Sequence, residues 1–236
     1  MKEITDLIVT QVRVFAPDTI PFRLIGAKSC TETLKSDFRV DEVQTNLFLP
    51  DRGSIVFERG EITKENNVVV INRIVIEPRR IILEVAGTSK EASRIYVLLL
   101  KSMESTTNID LTKLKSPMIL AETTQCIATL NFRFDSLLDD SFKKFMYDSV
   151  AKVASNKMAR ASVTPIATEF EITYDVEAQA LIEHKISLSP KRFTIAPRAN
   201  TPLEEKRYST SSPFDSDTHL RLMQDLEKVI TNRHAG

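Results

Sequence analysis

The sequence predicts an α+β protein of two similar halves, each an antiparallel meander sheet covered by helices. Three observations carry this prediction. Apolar runs are broken by turn signals, as in NLFLPDRGSIVF and ITKENNVVV, which is how hairpins read. Each half closes on a helical pattern of apolar residues. A proline flanked by basic residues interrupts a strand twice, in RIVIEPRRIILEV (Arg73 to Val85) and, 112 residues later, in KISLSPKRFTIAP (Lys185 to Pro197).

The elements follow in order. Asp6 to Phe15 alternates Ile8, Thr10, Val12 and Val14 on one side, the period of a half-buried strand. PDRG at 50–53 and ENN at 65–67 separate three further strands. Gly87 precedes TSKE, where Thr88 caps a helix and Glu91 completes a capping box. Ala92, Ile95, Tyr96, Leu99 and Met103 recur at helical spacing, and Val97, Leu98 and Leu100 widen the stripe until the helix reads as buried on most sides. Glu104 to Pro117 is polar and ends in proline, which suits a linker. The organisation expected is thus a first half at 1–106, a linker at 107–117 and a second half at 118–236. In the second half, strands are expected over Met118–Phe134, Ala161–Tyr174 and Ala180–Leu188. One helix is expected to start at Ser136, carrying Phe142, Phe145, Met146, Val150 and Val153, and another at Phe214–Asp215, carrying Leu222, Met223, Leu226, Val229 and Ile230.

The proline-interrupted stretch resolves by parity. Ile74 and Ile76 are even-numbered, whereas Ile81, Leu83 and Val85 are odd, and a continuous strand would place the two sets on opposite faces. A turn over Glu77 to Arg80 removes the conflict by pairing Ile76 with Ile81, Ile74 with Leu83 and Val75 with Ile82. The second copy pairs Leu188 with Phe193, Ile186 with Ile195 and Ser187 with Thr194 in the same way. Ile74, Pro78 and Arg80 recur as Ile186, Pro190 and Arg192, which points to an internal duplication.

Composition narrows the function classes. The 32 basic and 32 acidic residues leave no bulk charge for phosphate. The five glycines are too scattered for a P-loop or dinucleotide fingerprint. No apolar run spans a bilayer, MKEITDLIV does not read as a signal peptide, and Cys30 and Cys126 have no metal spacing. These features predict a cytoplasmic, reduced protein with no membrane partner and no cofactor.

Candidate binding residues lie at the two tips, Arg79 and Arg80 with Lys191 and Arg192, and in the inserted segment 198–212 at Lys206, Arg207 and Tyr208. Asp215, Asp217 and His219 have metal-ligand spacing, against which stands the polar first turn of a helix. Cys30 has no histidine in its half to act as a base. Glu169, Glu171 and Asp175 alternate with apolar residues, as a solvated sheet face does.

The leading expectation is a non-enzymatic module that binds a protein partner or a second copy of itself. The alternative is a nucleic-acid-binding module. The layout of strand, helix, meander and helix in tandem, with EPRR at 77–80, SPKR at 189–192 and GTSKEASR at 87–94, resembles the saddle of the TATA-binding-protein family. That resemblance implies nucleic-acid binding, and no functional residue is carried over from it. A lesser alternative is an enzyme using acidic residues or a metal.

Overall fold

Alternation sets the strands and capping sets the helices of the computed structural model, which describes residues 1–47, 53–64, 67–153, 165–172 and 191–233. Strand β1 (Glu3–Val14) is followed by α1 (Phe22–Ile25), α2 (Lys28–Asp37), β2 (Glu42–Asn46), β3 (Ser54–Lys64), β4 (Asn67–Ile76), β5 (Arg80–Ala86) and α3 (Ser89–Thr107). Then come β6 (Ile119–Thr129), α4 (Asp140–Val153), β7 (Thr168–Ile172), β8 (Lys191–Pro197), β9 (Arg207–Ser212) and α5 (Ser216–Arg233). The protein is α+β, with one antiparallel sheet of nine described strands in the order β2-β3-β4-β5-β1-β6-β9-β8-β7. β1 and β6 meet in the middle, from Glu3 opposite Thr129 to Val14 opposite Ile119, with a bulge at Asp6 and Leu7 where Asp6 has φ 53°.

The first interrupted strand is a hairpin in the register parity predicts. Ile76 pairs with Ile81, Val75 with Ile82 and Ile74 with Leu83, and Glu77 N donates to Arg80 O at 2.9 Å across the four-residue turn. The second copy differs. Phe193 and Ile195 of β8 pair with Phe170 and Thr168 of β7, and Ile195 also pairs with Thr210 of β9, so both sides of β8 are occupied there. The partners expected for them, Leu188 and Ile186, lie outside the described residues, as does the strand expected at 180–188. The 112-residue echo therefore equates β5, which adjoins β1, with β8, which stands one strand away from β6.

Helix α3 begins with the predicted capping box. Glu91 N donates to Thr88 Oγ1 at 3.3 Å, and Thr88 N donates back to the Glu91 carboxylate at 2.6 Å. Ala92, Ile95, Tyr96, Leu99 and Met103 are buried, but Val97 and Leu98 are 49% and 42% exposed, which corrects the expectation of burial on most sides. The reason is that the sheet lies on one side of α3 only. In the segment expected to be a linker, Leu111 and Leu114 are buried, and Tyr96 Oη donates to Leu114 O at 2.5 Å. Helix α4 starts later than Ser136. Phe134–Leu137 form a 3-10 turn, and Ser141 N donates to Asp139 Oδ1 at 2.8 Å to open the helix. Phe142 and Phe145 share a face, and it is exposed.

Two hydrophobic clusters form on the helix side of the sheet. One joins Val9, Phe15, Phe57, Ile74, Leu83 and Val85 to α1, α2 and α3. The other joins Cys126, Ala128, Phe134, Ile195 and Tyr208 to Met223 and Ile230 of α5.

Candidate nucleic-acid interface

Because side chains alternate along each strand, burying one face against the helices leaves the other face free. On β1 the helix side takes Val9, Gln11, Arg13 and Phe15, all buried. Ile8, Thr10, Val12 and Val14 point to the opposite, open side and are half-buried. This inverts what apolar content suggests, because the buried side carries a glutamine and an arginine. Each is partnered in part, with Gln11 Oε1 and Arg13 Nη1 left buried without a hydrogen bond among the described residues. Gln11 Nε2 donates to Ser89 O at 3.2 Å, to Ser93 Oγ at 3.1 Å and to the Glu122 carboxylate. The Arg13 guanidinium sits 3.9 Å from the centroid of the Tyr96 ring, a cation–π contact. Burial pulls the Arg13 pKa down, and Tyr96 and Glu122 push it back up. Burial raises the Tyr96 phenol, against the pull of Arg13.

Register extends the open face across the sheet. Thr10 pairs with Thr123, Val12 with Ala121, Ile8 with Gln125 and Val14 with Ile119 on β6. Gln125 pairs with Ser211 and Ile127 with Ser209 on β9, which continue to Thr194 and Ala196 on β8, and Ile82 adds β5. From β1 through β6 and β9 to β8 the centre of this face is therefore Val, Ile, Ala, Thr, Ser and Gln, without a charge and without an aromatic side chain among the described residues, while on β5 Glu84 stands beside Thr10, its carboxylate accepting from Asn72 Nδ2 at 3.1 Å. Helices α1, α2, α3 and α5 lie on the other side.

The other charges stand at the rim, and most are paired. Arg80 grips Glu77, with Nη2 donating to Oε1 at 3.1 Å. Arg73 Nε lies 3.8 Å from Glu58, and Arg192 Nη1 lies 3.4 Å from Glu169. Exposed pairs of this kind are worth about 0.2–1 kcal/mol each, so an incoming phosphate can displace the carboxylate.

The predicted site residues do not form one site. Arg80, Arg192 and Arg207 reach the open face from three strands. Arg79 turns away and, with Pro78, lines a cavity of about 480 Å³ against Pro17, Phe22, Arg23 and Leu24. Phe15 N donates to Arg79 O at 2.8 Å, tying the tip to the end of β1. By alternation Lys191 lies on the helix side, and Lys206 occupies the left-handed region at φ 54° before β9. Tyr208 is a core residue: it is 1% exposed, its hydroxyl donates to Phe132 O at 2.6 Å, and its ring stacks on Phe132. Burial pushes its phenol pKa up to about 12, with Asp135 adding to the rise and Arg133 opposing it.

Asp215, Asp217 and His219 diverge. Asp215 caps α5, accepting from Thr218 N at 2.9 Å, and Asp217 pairs with Lys90 at 2.9 Å. His219 turns into the sheet, where Nδ1 meets Ser212 Oγ at 2.7 Å and Nε2 meets Thr210 Oγ1 at 3.0 Å and Cys126 Sγ at 3.4 Å. Burial lowers the His219 pKa to about 4 and raises that of the Cys126 thiol. The pair is neutral, the opposite of what a thiolate–imidazolium nucleophile needs. No group of three or more His, Cys, Asp or Glu placed to hold a metal occurs among the described residues. Glu169 and Glu171 are exposed on β7, and Asp175 lies outside the described residues.

Sequence reasoning found the rim arginines but missed the face between them. Its signal was present: β1, β6 and β9 each carry a stripe of small, hydroxylated and β-branched residues opposite a buried stripe. No protein-family model, curated protein or solved structure matches the chain significantly.

Proposed function

We propose that the protein binds duplex DNA on the open face of its sheet. The observation that carries this is the non-aromatic centre of that face, uncharged from β1 to β8 among the described residues and bounded by arginines. A sheet of Val, Ile, Thr and Ser can lie against the edges of base pairs, and its hydroxyls can meet the acceptors of a minor groove. Single-strand and RNA-binding sheets instead stack bases on aromatic side chains, which this face does not carry among the described residues. The five strands β5-β1-β6-β9-β8 span about 19 Å, the length of about six base pairs.

Strand order supports the same reading. Outward from the β1/β6 junction the order is β1-β5-β4-β3-β2 on one side and β6-β9-β8-β7 on the other. Among the described strands, each half begins at the junction, returns its last strand beside its first and runs back in sequence order from there. Two tandem halves of a saddle would have this order, which supports the resemblance to the TATA-binding-protein family beyond the EPRR and SPKR tips.

The test is a fluorescence-anisotropy titration of short duplexes with the protein and with Thr10→Glu/Thr123→Glu, which places two carboxylates at the centre of the face. Binding at low salt, weakened about tenfold or more by the double substitution, supports the proposal. No binding at low salt, or equal binding by the variant, removes it. Should single-stranded DNA bind as tightly as duplex, the groove reading fails.

A further inference from the structure

The helix layer has its own feature, independent of the sheet face and on the opposite side of the molecule. Two cavities, of about 370 and 110 Å³, run end to end along the exposed flank of α3 and share Ile62 and Leu98 as lining. Their floor is apolar, with buried Phe38 under one and half-buried Val69 under the other. Leu98 is 42% exposed between them.

Among the described residues, the charges around this groove are not balanced in effect. Its acidic residues are already engaged: Asp37 accepts from Ser102 Oγ, and Glu91 is held in the α3 capping box. Its two cations, Arg94 and Lys101, are exposed and enter no ion pair or hydrogen bond among the described residues. They stand four residues before and three after Leu98, so all three lie along one stripe of α3.

We propose that this groove docks an acidic amphipathic segment of a partner protein. One or two large apolar side chains fill the space over Leu98 and Ile62, and carboxylates reach Arg94 and Lys101. Apolar burial supplies the affinity, while the two cations set orientation and select against basic segments. A helix laid in a groove with anchors three and four residues apart fits this spacing.

The probe is a fluorescein-labelled 14-residue helical peptide with leucines on one face and glutamates on the other, titrated into the full chain. Two controls replace its glutamates by lysines or its leucines by alanines. Affinity is expected to fall about tenfold in Arg94→Glu/Lys101→Glu and similarly in Leu98→Asp, all at exposed positions, and to be unchanged in Thr10→Glu/Thr123→Glu. Both control peptides are expected to bind at least about tenfold more weakly. Equal binding of the lysine peptide, or of the alanine peptide, overturns the proposal. So does duplex DNA losing affinity in Arg94→Glu/Lys101→Glu while the peptide does not, because the patch is then a phosphate contact. Sedimentation showing a dimer that Arg94→Glu/Lys101→Glu dissolves would assign the groove to a second copy and equally overturn it. Failure of DNA binding in every variant, with peptide binding intact, removes the sheet-face reading and leaves this one standing.

Discussion

Acidification from pH 7 to pH 5 should weaken this protein through one side chain, His219. Its ring is fully buried, held by Ser212, Thr210 and Cys126 with no carboxylate among its described contacts. Burial holds the pKa at about 4, against 6.5 for the unperturbed side chain. Between those values the unfolded chain binds a proton that the folded one does not, so stability rises with pH across the window. The contribution is complete above pH 6.5 and disappears as pH falls towards 4. The full difference corresponds to about 3 kcal/mol, of which about 2 kcal/mol is lost by pH 5. The assay is urea unfolding at pH 7 and pH 5 for the protein and for His219→Gln, whose amide keeps a donor and an acceptor but does not titrate. The variant should lose some stability at pH 7 and show about 2 kcal/mol less change between the two pH values. Parallel losses in both proteins would refute the reasoning.

Other outcomes follow from single contacts. A Cβ on Gly60 would stand 2.7 Å from Phe38 O, where β3 passes the end of α2, so Gly60→Ala should cost about 1–3 kcal/mol in denaturant unfolding. Tyr96→Phe removes the bond to Leu114 O and should cost about 1–2 kcal/mol by the same measurement. Cys30 and Cys126 are buried with thiol pKa values raised by burial, so a thiol reagent should label neither until denaturant is added. If duplex DNA binds, Arg73, Arg80, Arg192 and Arg207 are the cations among the described residues that face the groove, so log K against log salt should have a slope of about −4 or shallower. A slope steeper than about −5 would mean that a different, more basic surface carries the binding.

Much of the first half was legible because its signals are local. Parity across Glu77–Arg80 fixes a hairpin register, and Thr88 with Glu91 fixes a helix start, without reference to anything distant. The burial of β1 was not legible in the same way. Val12 and Val14 look like core and Gln11 and Arg13 like surface, but Ser93, Tyr96 and Glu122, brought in by α3 and β6, reverse the assignment. His219 was read with Asp215 and Asp217 because they are close in sequence, yet one helical turn sends His219 into the sheet and leaves the acids outside. The echo of EPRR in SPKR misled for a related reason. Thirteen residues cannot say which strand of a meander they occupy, and strand order is decided by pairings between β6, β9, β8 and β7 far apart in the chain. The open face escaped notice because it has no motif; it exists only once five strands are laid side by side.

Ultraviolet cross-linking of the protein to a duplex carrying photoreactive thymines, followed by mass spectrometry, tests the central claim most directly. Cross-links on β1, β6 and β9 at Thr10, Thr123, Ile127 or Ser209 are predicted. Cross-links confined to α3 and α5, or none at all with duplex bound, would contradict it.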